Sequence, residues 1–229
     1  MILIFVEHPI GLPEKIVIFP DLNFSVRVNF AAITWKALKK MQKREARDFV
    51  KNKMDAASST DLKKFNESIF INFKKLFDLN NPLKIGSYIS KENEVSTDKI
   101  NKFILDQGSS LYLPKIFNSK HSKKLKFYQF KEDDSLEQNK FGVLEPLGLG
   151  KSLKTKYLDL IIIPVRGINK NNKRLGYGGG FYDRSLAKEK KLKFLTICFE
   201  FQKNLSFRSQ KHDIEISTII SPNGYFRKA

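Results

Sequence analysis

Apolar residues recur at Leu62, Phe65, Ile69, Phe73 and Leu76, at spacings of 3, 4, 4 and 3. That period lays them along one face of a helix. Ser58-Ser59-Thr60-Asp61 offers its N-cap, and Asn80-Asn81-Pro82 stops it. Upstream, Lys36–Met54 contains mostly strong helix formers and neither Gly nor Pro, so a helix is expected there too. Downstream, the pattern predicts a strand over Lys84–Ser90, a helix over Asp98–Asp106 ended by Gly108, and a strand over Ser110–Leu113. Lys115–Lys124 reads as a basic loop, and Leu125–Phe130 as a strand before the acidic stretch Glu132-Asp133-Asp134. Leu158–Ile163 is an unbroken apolar run closed by Pro164, the signature of a strand buried on both faces. After a glycine-rich turn come a helix near Tyr182–Lys191 and strands over Phe194–Phe199 and Ile214–Ile220. Strands alternating with helices predict an α/β domain with a layered, largely parallel sheet. No internal repeat is visible.

Residues 1–35 have a different texture. Two short apolar stretches, Met1–Val6 and Lys15–Phe19, are broken by Pro9, Pro13 and Pro20. They suit a loose hairpin or an unstructured leader. Met41 can serve as an initiator, so this segment reads as an N-terminal extension or a mis-assigned start. The expected organisation is that extension followed by a single domain over 36–229.

Composition narrows the classes. The chain has 229 residues, 41% hydrophobic and 12% aromatic, enough apolar surface to bury a core. Cys198 is the single cysteine, which excludes an internal disulfide framework and a cysteine zinc cluster. The scattered His8, His121 and His212 argue against a histidine-built metal site. No apolar run approaches the ~18 residues of a membrane span. Met1–Val6 is too short for a signal core, so a cytoplasmic protein is expected. The 42 Lys+Arg against 24 Asp+Glu give a net charge of +18 and imply anionic partners. Lys, Asn, Ile and Phe are abundant together, which points to a compositional bias of the source genome and weakens nucleic acid as the explanation.

Two glycine signals compete. Glu145-Pro-Leu-Gly-Leu-Gly150-Lys151-Ser152 approaches the phosphate loop G-x-x-x-x-G-K-[ST], but Glu145 replaces its first glycine. The stretch from Ser152 to the strand at Leu158 is also too short for the required helix. A surface loop is the better reading. The second signal, Arg174-Leu175-Gly176-Tyr177-Gly178-Gly179-Gly180-Phe181-Tyr182-Asp183-Arg184, follows the buried strand and opens a helix. Four glycines within five residues let the backbone turn and approach a ligand closely. Their N–H groups and the helix N-terminus attract phosphate oxygens, and Arg174 adds a planar cation. Phe181 stands where G-x-G-x-x-G needs its last glycine, which disfavours a dinucleotide site.

The run RLGYGGGFYDR closely resembles the signature of the 5-formyltetrahydrofolate cyclo-ligase family, also called methenyltetrahydrofolate synthetases. The resemblance covers about residues 43–222. It includes Lys43-Arg-Glu-Ala-Arg47, Glu94-Val-Ser-Thr97, Leu111-Tyr-Leu-Pro114, Phe141-Gly-Val-Leu-Glu145-Pro146, the Leu158–Pro164 run and His212-Asp213. It implies a three-layer α/β/α sandwich similar to the ribose-phosphate isomerase and CoA-transferase group. The implied reaction uses ATP and Mg2+ to convert 5-formyltetrahydrofolate to 5,10-methenyltetrahydrofolate with release of ADP and phosphate. By resemblance, Lys43, Arg47 and Arg174 contact ATP phosphates, and Leu175 to Tyr182 line the nucleotide site. Arg174 and Tyr182 are the expected catalytic pair. Ile89, Glu94, Tyr177, Gly178, Gly179, Gly180 and Phe181 are expected at the folate, with Glu94 taking the pterin N–H edge. Asp183 and Asp213 are the expected magnesium ligands. Asn169 and Ser217 depart from the resemblance, standing where family members carry aspartates.

The expected partners are therefore small molecules, ATP and a folate that can carry a polyglutamate tail, bound by a monomer without nucleic acid or membrane. Two rivals stay open. A basic RNA-binding α/β protein accounts for the charge but not the glycine cluster. A non-catalytic folate- or nucleotide-binding homologue accounts for the cluster without turnover.

Overall fold

The computed structural model describes residues 2–7, 13–19, 24–28, 41–77, 81–119, 123–148, 150–189 and 191–228. The chain divides into two compact units, Met1–Met41 and Gln42–Ala229. In the first, β1 (Ile2–Glu7), β2 (Pro13–Phe19) and β3 (Phe24–Val28) form an antiparallel sheet in the order β1-β2-β3. The loose hairpin or unstructured leader expected there is thus a three-stranded meander.

The second unit starts with α1 (Lys43–Asp55) and α2 (Ser59–Leu76). Residues 36–40 of the expected first helix lie outside the described residues. Ser58 caps α2 as expected, its hydroxyl accepting from the Asp61 N–H at 3.0 Å. Ile69 and Phe73 are fully buried, while Phe65, on the same face, is part exposed and meets the Phe199 ring. Then follow β4 (Lys84–Gly86), α3 (Asp98–Asp106), β5 (Ser110–Asn118), β6 (Lys123–Phe130), the hairpin β7 (Leu136–Gln138) and β8 (Leu144–Pro146), β9 (Ser152–Leu153) and β10 (Leu160–Ile162). The hairpin β11 (Gly167–Ile168) and β12 (Arg174–Leu175), helix α4 (Phe181–Leu186), β13 (Lys193–Ile197), β14 (Thr218–Ser221) and β15 (Gly224–Arg227) complete the unit.

The main sheet runs β15-β14-β13-β10-β4-β5-β6-β9. Its centre, β14 to β5, is parallel. β15, β6 and β9 add antiparallel edges. The fold class is mixed α/β with a mostly parallel central sheet, as expected. Alternate strand residues sort into two faces. Tyr112, Phe127, Ile161 and Ile219 share one core with Leu186 of α4. The intervening Leu111, Leu113, Ile162, Leu195 and Ile220 are equally buried and face the other way. Gly86 sits where a Cβ would lie 3.0 Å from Ile161 and 3.1 Å from Phe127, so that layer closes only over a glycine.

Several expectations are corrected. The basic loop Lys115–Lys124 is largely strand: Lys115–Asn118 pair with Lys123–Lys126. Alternation hides this, because Lys124 and Lys126 face outward while Leu125 and Phe127 are buried. The surface loop read at Glu145 is strand β8, with the Glu145 side chain buried. Its carboxylate accepts the Ile116 N–H and the Asn139 amide, both at 2.9 Å. The helix expected over Tyr182–Lys191 is the six-residue α4. Cys198 lies just beyond β13, fully buried.

Candidate functional site

From β4 the chain passes through α3 to β5 on one side. From β10 it passes to β13 and β14 on the other. The order therefore reverses between the adjacent strands β4 and β10, and ligands in open α/β sheets gather beyond the carboxyl ends of strands at such a point. The segments leaving β4 and β10 border a cavity of about 730 Å³. Ser90 to Glu94 come from the first segment and Arg166 from the second. Helix α1 adds Arg47, Asp48 and Lys51, the β7–β8 hairpin adds Gln138, Gly142 and Leu144, and the glycine loop adds Tyr177.

The glycine loop is shaped by its neighbours. Gly178 and Gly180 have φ of 110° and 68°, which side-chain-bearing residues rarely adopt. At Gly176 a Cβ would lie 2.5 Å from the Arg174 guanidinium, so only glycine lets that cation fold beneath the loop. Arg47 Nε donates to the Gly176 carbonyl at 2.8 Å, and its guanidinium passes beside Gly178. Helix α4 has only six residues. Its dipole is weak, and anion attraction at the loop rests on the N–H groups and these cations.

Arg174 is 4% exposed. Its Nε donates to the Pro164 carbonyl at 2.8 Å, its Nη1 to Asp183 at 2.9 Å, and its Cζ lies 5.2 Å from the Tyr182 ring centroid. Lys43 Nζ grips both oxygens of the buried Asp213, at 2.6 and 2.7 Å, and the Gln210 N–H adds a bond at 2.7 Å. Burying these charges is tolerable because each is paired. Each expected magnesium ligand is thus neutralised by an expected phosphate-binding cation. Among the described residues no group of three or more His, Cys, Asp or Glu is placed to hold a metal ion. Asp213 borders a second cavity of about 440 Å³, not the one lined by Glu94 and Tyr177.

Three phenols approach the site. Burial, then the nearby Glu94 carboxylate, holds Tyr177 well above the ordinary value of 10, while Arg166 pulls the other way. Tyr177 is 43% exposed overall, so that burial is felt at the hydroxyl, 3.4 Å from the Val165 carbonyl. Burial likewise raises Tyr182 against the opposing Arg174 charge, and raises Tyr88. All three stay neutral near pH 7, so none is poised to act as a base. Glu94 accepts the Lys91 N–H at 2.9 Å. Ile89 is half-buried and does not line the cavity.

Residues 39–222 match the sequence model of the 5-formyltetrahydrofolate cyclo-ligase family. The chain belongs to that family of ligases. It is similar to a 5-formyltetrahydrofolate cyclo-ligase of Haemophilus influenzae, 33% identical over 120 residues, spanning 52% of this chain and 63% of that protein. It is also similar to the one of Mus musculus, 26% identical over 190 residues, spanning 78% and 92%. The fold resembles that of a 5,10-methenyltetrahydrofolate synthetase from Aquifex aeolicus, at TM-score 0.69 and 24% identity, covering 82% of this chain and 93% of the other. One from Mycoplasma pneumoniae matches at TM-score 0.65 and 22% identity, covering 80% and 99%.

In this cyclo-ligase-family chain the structure brings Arg47, Glu94, Tyr177 and the glycine loop together around one cavity. It sets Arg174 with Asp183 beneath the loop, and Lys43 with Asp213 beside the second cavity. Asn169, one of the departures, shapes the β11–β12 turn: its Oδ1 accepts the N–H groups of Asn171 and Lys173 at 3.0 and 2.9 Å. Ser217, the other, donates to the Phe194 carbonyl at 2.9 Å. Sequence reasoning missed Arg166 and Gln138. Arg166 had a usable signal, a charged residue just past the carboxyl end of a doubly buried strand. Gln138 had none, because its hairpin reaches the cavity only through long-range packing.

Proposed function

We propose that this chain catalyses the ATP-dependent conversion of 5-formyltetrahydrofolate to 5,10-methenyltetrahydrofolate. The observation that carries the reading is the cavity at the β4–β10 reversal, where Glu94, Tyr177 and Arg47 meet the glycine loop. A carboxylate that pairs ring N–H groups and a cation-backed loop that binds phosphates then lie within one space. An amide oxygen is a poor leaving group, and phosphorylation makes it a good one. The formyl oxygen takes the terminal phosphoryl group of ATP, releasing ADP. The neighbouring folate nitrogen attacks the formyl carbon and loses its proton, the ring closes, and phosphate departs. The protein's share is to hold both substrates in reach and to neutralise charge on the transferring group.

In this reading Lys43, Arg47 and Arg174 bind phosphates, and Gly176 to Gly180 supply backbone donors. Tyr182, a neutral phenol stacked against Arg174, steadies that guanidinium. Asp183 and Asp213 suit magnesium in its usual manner, one or two carboxylates completed by phosphate oxygens and water. Magnesium so held would neutralise charge on the phosphates. Action in the cytoplasm as a monomer belongs to the same proposal; among the described residues no helix is long and apolar enough to cross a membrane.

The test is the absorbance of the methenyl product with purified protein, 5-formyltetrahydrofolate, ATP and magnesium. Product forms with ATP and not without it. Tight folate and ATP binding with no product would favour a non-catalytic homologue. Salt-sensitive RNA binding without turnover would favour the nucleic-acid reading.

A further inference from the structure

Arg166 is the buried charge lining this cavity that the proposed function leaves unused. Its residue is 9% exposed, and its guanidinium borders the cavity 5.7 Å from the Tyr177 ring centroid. It belongs to none of the ion pairs formed among the described residues. Its backbone, by contrast, is fastened: the N–H donates to the Leu175 carbonyl at 2.8 Å, and the carbonyl accepts from the Gln202 amide at 3.3 Å. A buried guanidinium on an anchored backbone, engaged by the Tyr177 phenol but by no carboxylate, keeps donors for whatever fills the cavity.

The neighbouring groups say what that is. The Tyr177 hydroxyl interacts with both the Glu94 carboxylate and the Arg166 guanidinium, so an acceptor and a donor are held near one phenol. A phosphate or a free carboxylate set against Arg166 would be repelled by Glu94. A neutral carbonyl would not. The fused ring of a folate carries ring N–H and amino donors beside a carbonyl oxygen, along a single edge. Glu94 matches the donors and leaves the carbonyl for a second group.

We propose that Arg166 donates to the ring carbonyl of the bound folate and thereby sets the site's preference for an oxo over an amino substituent on that edge. This rests on the folate reading above. Arg166 is a binding residue here; it takes no part in phosphoryl transfer.

The experiment compares the unaltered chain with Arg166→Leu and Arg166→Lys. If the unaltered chain forms no methenyl product, the folate reading fails and this inference fails with it. Given product, Arg166→Leu raises the KM for 5-formyltetrahydrofolate about 10- to 100-fold, the range of a hydrogen bond to a charged group. The KM for ATP stays within about twofold. Competition by the 2,4-diamino analogue, in which an amino group replaces the carbonyl, gives the decisive ratio. Glu94 is common to all three proteins, so its own preference cancels. The unaltered chain's discrimination between oxo and amino ligands falls at least tenfold in Arg166→Leu. It falls less in Arg166→Lys, which keeps the charge but loses the planar fork. An unchanged ratio in both variants, or a raised KM for ATP in place of folate, overturns the assignment while leaving the folate reading intact. Arg166→Lys carries the test should Arg166→Leu not fold.

Discussion

Arg166 and Arg174 belong to the same short hairpin, and the protein treats them in opposite ways. Arg166 immediately precedes β11 at the hairpin's base, while Arg174 begins β12 opposite Ile168. Both are buried. Arg174 spends its donors on the Pro164 carbonyl and on Asp183. Arg166 has no carboxylate partner among the described residues and borders the open cavity. The first has a carboxylate in the protein before any phosphate arrives; the second has none and is held for a ligand. Burial alone does not tell the two apart. Their partners do, and they make opposite forecasts for stability and for binding.

The largest effect is expected from cutting the satisfied pair. Arg174→Leu leaves the Asp183 carboxylate without its cation in a site where its side chain is only 15% exposed. Breaking a buried pair in this manner costs about 3–5 kcal/mol. In a unit of this size that lowers the melting temperature by roughly 6–20 °C. Turnover falls about 10²- to 10³-fold with loss of a preorganised charge. Arg166→Leu removes a charge that meets the Tyr177 phenol but no carboxylate, so no buried counter-charge is orphaned and the stability loss is smaller, about 1 kcal/mol. Thermal melts of the two variants decide the matter. Equal losses would erase the distinction between the arginines. The double variant Arg174→Leu with Asp183→Asn sharpens it, recovering most of the stability and none of the activity.

Next in size is the loop that joins the two arginines to the substrates. Gly178→Ala forces a side chain into φ near 110°. Space is not the obstacle, because the nearest atom to the added Cβ, in Arg47, is 3.9 Å away. The cost is backbone strain, about 1–3 kcal/mol, or a loop that moves to escape it. Turnover should fall more than substrate affinity, since the strain displaces the loop's N–H groups from the phosphates. Steady-state kinetics beside a urea melt separate the outcomes. Full activity with full stability would mean that the loop does not need this conformation.

Arg47→Ala is milder. The residue is half-buried on α1, and among the described residues its side chain bonds only the Gly176 carbonyl. Its loss should raise the KM for ATP about tenfold, the scale of one charge-assisted bond, with stability nearly unchanged. A rise in the folate KM alone would move Arg47 to the other substrate.

Much of this architecture is legible in the amino-acid order, and the failures share one cause. Helix α3 begins and ends where Asp98 and Gly108 predict, because caps and stops act within a few residues. The Leu158–Ile163 run becomes the central strand β10 because an apolar run of that length has few other places to go. The glycine loop is visible because Gly176 and Gly178 answer local demands of space and φ. Pairings over long separations are invisible. Lys43 meets Asp213 across 170 positions, and nothing near either residue announces the other. Glu145 looked like a defect in a phosphate loop, because the Ile116 N–H that it serves lies in another strand. The two arginines are eight positions apart and chemically identical, so only three-dimensional partners distinguish them.

The smallest predicted effect isolates burial from pairing. Cys198 lies in the core below the site with no exposed surface, and burial pushes its thiol from an ordinary value near 9 up to about 12. In the unfolded chain the thiol loses its proton above pH ~9, whereas the native thiol keeps it until about pH 12. Between those values the unfolded state binds fewer protons, so stability falls as pH rises, by about 1.4 kcal/mol per pH unit at most. Below pH ~9 the thiol contributes no slope. The buried tyrosines add the same sign of slope only once pH passes their unfolded value near 10, which leaves pH 9–10 to the cysteine. Urea melts in reductant across that window should show the decline in the unaltered chain and a flatter line in Cys198→Ala. The cavity left by alanine shifts that line downward without tilting it. If both lines slope alike, the thiol is reached by water, and the core beneath the two arginines is less closed than its packing shows.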